Sequence, residues 1–187
     1  MIETGRLILR GWRDADLAPF AQICADPEVM RHLGGPQSSD EVAAAVGRQR
    51  AAEAARGHCF WAVERREDGA LLGFCGLSRG VLPGTAVHDA LEIGWRLRRD
   101  AWGRGFAREA AEAALSWGWA HPGIDRIAAW TVAENRASWG LMRRLGMTRR
   151  PELDFAHPAF PVEHPLSAHI VYTLDRPAAP GAEQGRS

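Results

Sequence analysis

The amino-acid sequence predicts a single domain of the mixed α and β class. Short runs in which apolar and polar residues alternate are typical of β-strands, and other segments repeat their apolar residues at the three- and four-residue spacing of amphipathic helices. Gly, Pro, Asp and Ser residues separate these segments. The length of 187 residues fits one domain of ordinary size. We therefore expect one folded domain over residues 1–175 and a flexible tail, rich in Pro, Gly and Ala, over residues 176–187.

The composition argues against several classes of protein. The 23 basic and 23 acidic side chains give a formal net charge of zero, which disfavours general binding to nucleic acid or to an anionic membrane. No apolar stretch approaches the roughly 20 residues of a membrane span, and we expect no signal peptide. The three cysteines lack C-x-x-C spacing, so we expect buried, reduced thiols and a cytoplasmic location. The C-terminal histidines lack zinc-site spacing, and we predict no metal.

In the first half of the chain, capping and breaking residues mark the ends of each predicted element. An Asp before an apolar helical face and a Ser–Glu capping box indicate helix starts, whereas Gly indicates helix ends. The predicted elements are a strand at 6–12, a helix capped by Asp14 or Asp16, a short helix from Pro27, a helix from Ser38 to about residue 56, and strands at 59–66 and 70–77 joined by a tight turn.

In the second half, strands and helices are predicted to alternate. The predicted elements are a strand at 88–98, a helix at 104–120, a strand at 126–132, a helix at 135–145, a short strand at 147–150 and a strand at 168–174. Residues 151–167 are rich in Pro and His and are predicted as a long loop. Long loops in compact domains are often functional.

A glycine-rich loop joins the strand at 88–98 to the following helix. Gly103, Gly105 and Ala107 lack bulky side chains, so backbone N–H groups can approach a ligand closely. The first N–H groups of a helix are unpaired and carry partial positive charge, which suits a pyrophosphate. An ordinary strand-to-helix turn accounts for these residues equally well. A dinucleotide-binding loop is disfavoured because the G-x-G-x-x-G spacing is not met, and a triphosphate-binding loop because its Lys is missing.

A second motif further along the chain favours the ligand-binding interpretation. Asn135 opens a helix that ends in Leu145-Gly146-Met147. With the segment WGRGFA at 102–107, it resembles the two acetyl-CoA motifs of the GNAT acetyltransferase superfamily, the first being (Q/R)-x-x-G-x-(G/A) with Trp102 in place of Gln or Arg. The sequences RLILR, LEIGW and WGRGFAREA, and the Asn-x-x-Ser at 135–138, resemble the branch of ribosomal-protein alanine N-acetyltransferases. The resemblance covers residues 3–175.

The resemblance implies a mixed, mostly antiparallel central sheet flanked by helices. Two neighbouring strands of this fold splay apart and admit the pantetheine arm of acetyl-CoA, and strands 88–98 and 126–132 are the implied pair. The implied contacts with acetyl-CoA are backbone groups of Leu97, Arg98 and Arg99, the loop residues Gly103, Arg104, Gly105, Phe106, Ala107 and Arg108, and the side chain of Asn135.

The implied reaction is direct attack of an amine on the thioester of acetyl-CoA. Glu92 is the candidate base, because partial burial would raise its pKa toward the working range, and an outward-facing strand carboxylate is the alternative. In many members a Tyr in the helix after the Asn is the general acid, but Met142 stands at that position here. Ser138 is the available hydroxyl that can donate to the leaving sulfur. A plain polar residue is its alternative, and a thiolate of pKa about 8–9 can also leave without an acid.

Five residues are candidates for contact with the amine acceptor. Arg31 and His32 lie where the branch places a helix and loop over the acceptor, and Trp95 lies at the implied splay. Asp154 and His157 belong to a Asp-Phe-x-His-Pro sequence in the long loop, which borders the acceptor pocket in some bacterial members. Solvated loop residues are the alternative for the last two.

The predicted function is an acetyl-CoA-dependent N-acetyltransferase acting on a primary amine, either the N-terminal α-amine of a peptide or protein or a small-molecule amine. A catalytically weak acyl-CoA-binding sensor is the alternative that Met142 keeps open. A structural protein in which the glycine loop is only a turn is disfavoured by Asn135 and its matched helix. A homodimer is the expected assembly, because such dimers are the commonest oligomers.

Overall fold

A computed structural model describes residues 1–178 of the chain. Its strands are β1 (Ile2–Glu3), β2 (Leu7–Arg10), β3 (Phe60–Arg65), β4 (Leu71–Arg79), β5 (Leu91–Leu97), β6 (Arg126–Val132), β7 (Thr148–Arg149), β8 (Phe155–Ala156) and β9 (Ala168–Asp175). Its α-helices are α1 (Leu17–Ala25), α2 (Pro27–Met30), α3 (Ser39–Arg56), α4 (Phe106–Trp119) and α5 (Arg136–Arg144). The strands form one sheet in the order β1-β2-β3-β4-β5-β6-β9-β7, and β8 pairs with β9.

The centre of the sheet opens between β5 and β6. Neighbouring strands are antiparallel, except that β5 and β6 run parallel. β5 pairs with β4 along its whole length, but its pairing with β6 is confined to Glu92 and Ala128. After Glu92 the two strands share no ladder, so each presents an open edge to the space between them. The mostly antiparallel sheet with a splayed central pair is confirmed.

The two faces of the sheet hold separate hydrophobic cores. On one face α4 packs against β4 and β5 through a row of buried alanines. A Cβ on Gly118 would lie 2.8 Å from the Leu77 side chain, so the close approach of α4 requires glycine there. On the other face, α1 and α3 pack through Phe20 and Val42 against the strands.

Helix α3 begins and ends as the sequence predicts. The Ser38 hydroxyl accepts a hydrogen bond from the Glu41 N–H at 3.3 Å, and the Glu41 carboxylate accepts one from the Ser38 N–H at 2.8 Å. Gly57 ends the helix with φ of +75°, a conformation that favours glycine.

Asp16 stands at the N-cap position of α1, as predicted, but its side chain makes no capping hydrogen bond to that helix. Asp14 begins a 3-10 turn, Asp14–Asp16, and forms an ion pair with Arg50. Asp16 is buried and accepts hydrogen bonds from the Arg10 guanidinium at 2.7 and 2.8 Å. A buried cation needs a partner more than the helix end needs a cap, because an unpaired buried charge is costly.

Three predicted boundaries differ in the structure. β5 begins at Leu91 rather than residue 88, because Asp89, with φ of +60°, lies in a turn closed by Gly80. α4 begins at Phe106 rather than residue 104, because Gly105 has a left-handed conformation that no helix interior allows. The predicted loop at 151–167 contains a 3-10 turn, Pro151–Leu153, and strand β8.

Three smaller observations complete the fold. The cysteines Cys24, Cys59 and Cys75 are free and buried, as predicted. In the part of the chain that the structure describes, no helix combines the length and the apolar character needed to cross a membrane. The predicted flexible tail lies outside the described residues from residue 179 onward.

Candidate active site

The splay between β5 and β6 opens into a cleft of about 770 Å³. Its walls come from β5, the loop before α4, the end of β6, the first turns of α5 and residues 28–33. The predicted site residues that line it are Arg31, His32, Glu92, Trp95, Leu97, Gly103, Gly105, Phe106, Ala107, Arg108, Asn135 and Ser138. Residues far apart in the sequence thus meet at one opening in the sheet.

Free backbone N–H groups concentrate at the end of the cleft where α4 begins. The first helical hydrogen bond of α4 runs from the Glu109 N–H to the Gly105 carbonyl, so the preceding N–H groups have no helical partner. Within residues 1–178, the N–H groups of residues 103–108 donate to no protein acceptor. Gly103 and Gly105 have φ of +70° and +81°, and this backbone turns the loop toward the helix start. The arrangement suits an anion with several oxygen atoms.

Arg6 supports this loop from the side of β2. Its guanidinium donates to the Glu109 carboxylate at 2.7 Å and to the Arg104 carbonyl at 3.0 Å, and it lies 4.5 Å from the Phe106 ring centroid. The Arg104 carbonyl is therefore turned away from the cleft, and its side chain does not line it. Because Arg6 donates to both Arg104 and Glu109, its guanidinium links the loop to the first turn of α4.

The open edge of β5 offers backbone groups to a ligand that lies along it. Alternate residues of a strand direct their backbone N–H and C=O groups to opposite sides. The N–H and C=O groups of Trp95 and the N–H of Leu97 therefore point away from β4. The Leu97 carbonyl accepts the Trp102 indole N–H at 2.8 Å, and the Arg98 N–H donates to the Leu72 carbonyl at 2.8 Å. The open backbone groups thus begin at Trp95, two residues earlier than the sequence-based assignment to residues 97–99.

Glu92 lies at the single residue pair through which β5 and β6 share a β-ladder. Its carboxylate forms no hydrogen bond or ion pair with any group in residues 1–178 and faces the cleft. Burial raises the pKa of Glu92 to about 8, because few polar groups replace the water lost around the charged form. A carboxyl group with this pKa can accept a proton near neutral pH.

The side chain of Asn135 joins α5 to β6 beside the cleft. Its Oδ1 accepts the Ser138 N–H at 3.3 Å, which caps α5, and its Nδ2 donates to the Thr131 hydroxyl at 3.0 Å. One Nδ2 hydrogen is left for a ligand. The Ser138 hydroxyl donates to no group among the described residues and lines the cleft. Met142 is buried and lines the same wall.

Three of the five candidates for contact with the acceptor, Arg31, His32 and Trp95, line the cleft. Arg31 and His32 line the cleft, where Arg31 pairs with Glu28 at 3.1 Å. Burial, and secondly the charge of Arg31, lower the pKa of His32. Trp95 packs its side chain on the main core, on the face of β5 opposite Glu92.

The remaining candidates lie outside the cleft. Asp154 forms a two-point ion pair with Arg149 and accepts the Val171 N–H at 3.0 Å, so its carboxylate fixes the start of β8. His157 packs between the rings of Phe160 in the same loop and His169 on β9, and burial lowers its pKa. Arg98 and Arg99 line a second cavity of about 560 Å³ beside α1.

Among the cleft residues that sequence reasoning missed are Arg96 and Phe60. Arg96 lines the cleft on the same face of β5 as Glu92, and Phe60 covers Gly94 between them. The two-residue period of a strand places Glu92, Gly94 and Arg96 on one face, and this signal was present in the sequence. No sequence signal placed Phe60 there, because it lies on β3 and reaches β5 across the intervening strand β4.

Comparison with known sequences defines the family. The family described as Acetyltransferase (GNAT) domain matches residues 6–148, which is most of the described chain. The protein therefore belongs to the GNAT acetyltransferase family. The chain is similar to the uncharacterized protein YkkB of Bacillus subtilis (strain 168), with 31% identity over 77% of this chain and 83% of that protein. It is also similar to the uncharacterized N-acetyltransferase YoaA of that organism, with 28% identity over 80% and 83%.

Solved structures agree with the fold. An acetyltransferase from Agrobacterium tumefaciens str. C58 superposes with a TM-score of 0.75 and 26% identity, covering 92% of both chains. A spermidine N-acetyltransferase from Vibrio cholerae, solved in complex with CoA and spermine, superposes with a TM-score of 0.70 and 16% identity over 92% of this chain and 97% of that chain. The second likeness shows the fold alone.

Proposed function

We propose that this protein is an acetyl-CoA-dependent N-acetyltransferase that acts on a primary amine of a peptide, a protein N-terminus or a small molecule. The observation that carries the proposal is one cleft with two chemically distinct ends. Free backbone N–H groups at residues 103–108 meet it at one end, and the unpaired carboxylate of Glu92 faces it further along β5. An anion-binding helix start and a proton acceptor are the two groups that this transfer needs.

The cleft residues fit acetyl-CoA as the first substrate. The N–H groups of residues 103–108 would bind its pyrophosphate, and the open backbone edge at Trp95 and Leu97 would pair with the amides of the pantetheine arm. The free Nδ2 hydrogen of Asn135 would donate to the same arm. Arg108 and Arg144, which also line the cleft, add positive charge for the phosphates.

The chemistry follows from the acceptor amine and Glu92. The nitrogen lone pair forms a C–N bond to the thioester carbonyl carbon, the C–S bond breaks, and its electron pair leaves with the CoA sulfur. Glu92 accepts the proton that the attacking nitrogen loses, directly or through a water molecule. The Ser138 hydroxyl can donate a hydrogen bond to the departing sulfur. Met142, at the position of the acid found in many family members, cannot donate a proton.

The first test is calorimetric titration of acetyl-CoA into the wild type, Gly103→Ala and Gly123→Ala. Both glycines have positive φ, +70° and +81°, and a Cβ at either would meet no heavy atom within 4 Å. The two substitutions therefore impose the same backbone strain, but only Gly103 lies at the proposed pyrophosphate site. We expect micromolar binding that Gly103→Ala weakens at least tenfold and Gly123→Ala leaves unchanged. No binding by the wild type would refute the proposal.

Transfer itself is tested by release of free thiol from acetyl-CoA in the presence of amine acceptors, with mass spectrometry of the product. A mass gain of one acetyl group on the amine nitrogen supports the proposal. A catalytically weak acyl-CoA sensor is the second candidate, favoured by the buried Met142. Tight acetyl-CoA binding without thiol release for any acceptor would favour the sensor.

A further inference from the structure

A groove runs along the face of β5 that points to α1 and α3. Glu92, Gly94 and Arg96 lie on this face, opposite Ser78, Gly76 and Phe74 of β4. The Phe60 ring fills the space above Gly94, where a Cβ would come within 2.9 Å of it. Phe60 stacks on Phe74 with ring centroids 5.1 Å apart. The groove therefore has a carboxylate at one end, an aromatic floor and a guanidinium at the other end, and all of these line the cleft.

The guanidinium of Arg96 has spare donors. Its Nη1 donates to the Gln37 Oε1 at 3.0 Å and to the Cys24 Sγ at 3.1 Å. Its Nε is buried and has no partner in the described chain. Its Nη2 donates to no group in residues 1–178 and is not buried. Nε is enclosed by protein atoms and out of reach of a ligand, so the accessible Nη2 is the donor left for a bound acceptor group.

The positive charge of Arg96 is not balanced by its neighbours. Gln37 is neutral, and burial raises the pKa of the Cys24 thiol, so that thiol is also neutral. Glu28, the other acidic residue of the cleft wall besides Glu92, is paired with Arg31. The rings of Phe74 and Phe20, at 5.4 and 5.9 Å, stabilise the cation but do not neutralise it. An anionic ligand group would complete this site.

The spacing of the two charges limits the ligand. Four residues separate Glu92 from Arg96 along a strand, which places their Cα atoms about 13 Å apart at roughly 3.3 Å per residue. An α-amino acid carries its amine and its carboxylate on the same carbon atom, so it places both groups at one end of the groove. A dipeptide, or a longer amine with a distant carboxylate, separates the two groups along the groove. A polyamine would bring positive charge to the unpaired Arg96.

We propose that the acceptor is an amine that carries a carboxylate several bonds from its amino group, and that Arg96 binds that carboxylate while Glu92 faces the amine. This inference rests on the proposed acetyl transfer and names its substrate class. The amine nitrogen forms the bond to the acetyl carbon as described above, and the carboxylate takes no part in bond changes. Arg96 is therefore a specificity-determining residue.

The test compares glycylglycine with glycylglycinamide, which has the same chain and no carboxylate. Thiol release from acetyl-CoA is measured for the wild type, Arg96→Met, Arg96→Lys and Arg48→Met. Arg48 is exposed on α3 and controls for the loss of one positive charge. We expect the wild type and Arg48→Met to prefer glycylglycine by on the order of 10- to 100-fold in kcat/KM, mainly through KM. The ratio should approach one in Arg96→Met and be intermediate in Arg96→Lys.

Other outcomes separate this inference from a structural role and from the proposed function. Equal rates for the two dipeptides in the wild type, or no reaction of either, would overturn the substrate class. An unchanged ratio in Arg96→Met together with a lower melting temperature would make Arg96 a structural anchor. If Arg96→Met does not fold, Arg96→Lys carries the comparison. The proposed acetyl transfer is judged separately, by acetyl-CoA binding and by transfer to the other amines.

Discussion

Substitution of Glu92 by Gln changes two measurable properties of the protein in predictable directions. The substitution keeps the size of the side chain and removes the titratable proton. In the folded protein, burial raises the pKa of Glu92 from its ordinary 4.5 to about 8. Between these two values the folded state holds a proton that the unfolded chain releases. The free energy of unfolding of the wild type therefore falls as the pH rises through this window.

The size of the stability effect follows from the two pKa values. One pKa unit corresponds to about 1.4 kcal/mol, so by pH 7 the wild type has lost on the order of 3 kcal/mol relative to pH 4.5 through this group. The Glu92→Gln variant has no such group and does not lose this free energy of unfolding. In urea unfolding at several pH values, the difference in unfolding free energy between variant and wild type should therefore rise by that amount from pH 4.5 to pH 7. The matched control is Glu67→Gln, an exposed glutamate in the turn between β3 and β4.

The activity of the same pair of proteins reports the role of Glu92 as the base. At pH 7 about one-tenth of Glu92 is ionised, so the ratio of wild-type to Glu92→Gln kcat/KM should rise about tenfold from pH 6 to pH 7, about fivefold from pH 7 to pH 8, and level off above pH 9. Loss of the base should lower kcat by about 10²- to 10⁴-fold at high pH. The ratio of wild-type to variant activity cancels the titration of the acceptor amine, so it follows Glu92 alone.

The unfolding and activity measurements test two different properties of Glu92, its burial and its role as the base. A flat difference in unfolding free energy from pH 4.5 to pH 8 would mean that Glu92 is not desolvated. A pH-dependent stability difference together with a pH-independent activity ratio would mean that Glu92 is buried but is not the base.

Two further substitutions test other parts of the account. Ser138→Ala should lower kcat by about tenfold and leave the Kd for acetyl-CoA unchanged, because its hydroxyl is expected to act on the leaving sulfur; a rise in Kd with unchanged kcat, measured by calorimetry and thiol release, would contradict this. Arg10→Met should lower the free energy of unfolding by about 3–5 kcal/mol, because it leaves the buried Asp16 without its cation and Glu64 with Arg13 alone. Chemical denaturation measures the loss, and the double variant Arg10→Met with Asp16→Asn should recover part of it; a loss below about 1 kcal/mol would show that the pair is unimportant.

The sequence predicted most elements because their local signals agree with the tertiary structure. The capping box at Ser38 and Glu41 and the positive φ at Gly57 depend on neighbouring residues only, and both are present. The boundaries of β6 were predicted because its apolar run is bounded by polar residues. Asp16 lies at the predicted helix start, and its carboxylate accepts the Arg13 N–H as well as the Arg10 guanidinium. The buried pairing with Arg10 had no local signal, because it depends on the packing of β2 beside the helix start.

The site was predictable where its residues lie in contiguous motifs. The loop at 103–108 and Asn135 belong to such motifs, and both line the cleft. The support of the loop by Arg6 could not be predicted, because it depends on β2 lying beside the start of α4. Asp154 has the sequence context of a substrate contact, but Arg149 and the Val171 N–H occupy its carboxylate. Side chains in loops are assigned reliably only when their partners are known.

The central claim is that the open edge of β5 and the start of α4 bind acetyl-CoA together. Two-dimensional ¹H–¹⁵N NMR of the labelled protein, recorded during titration with acetyl-CoA, tests it directly. We expect the largest amide shifts on residues 103–108, Trp95 and Leu97, and no shift of the Gly123 amide. Shifts confined to other surfaces, or absent at millimolar acetyl-CoA, would contradict it.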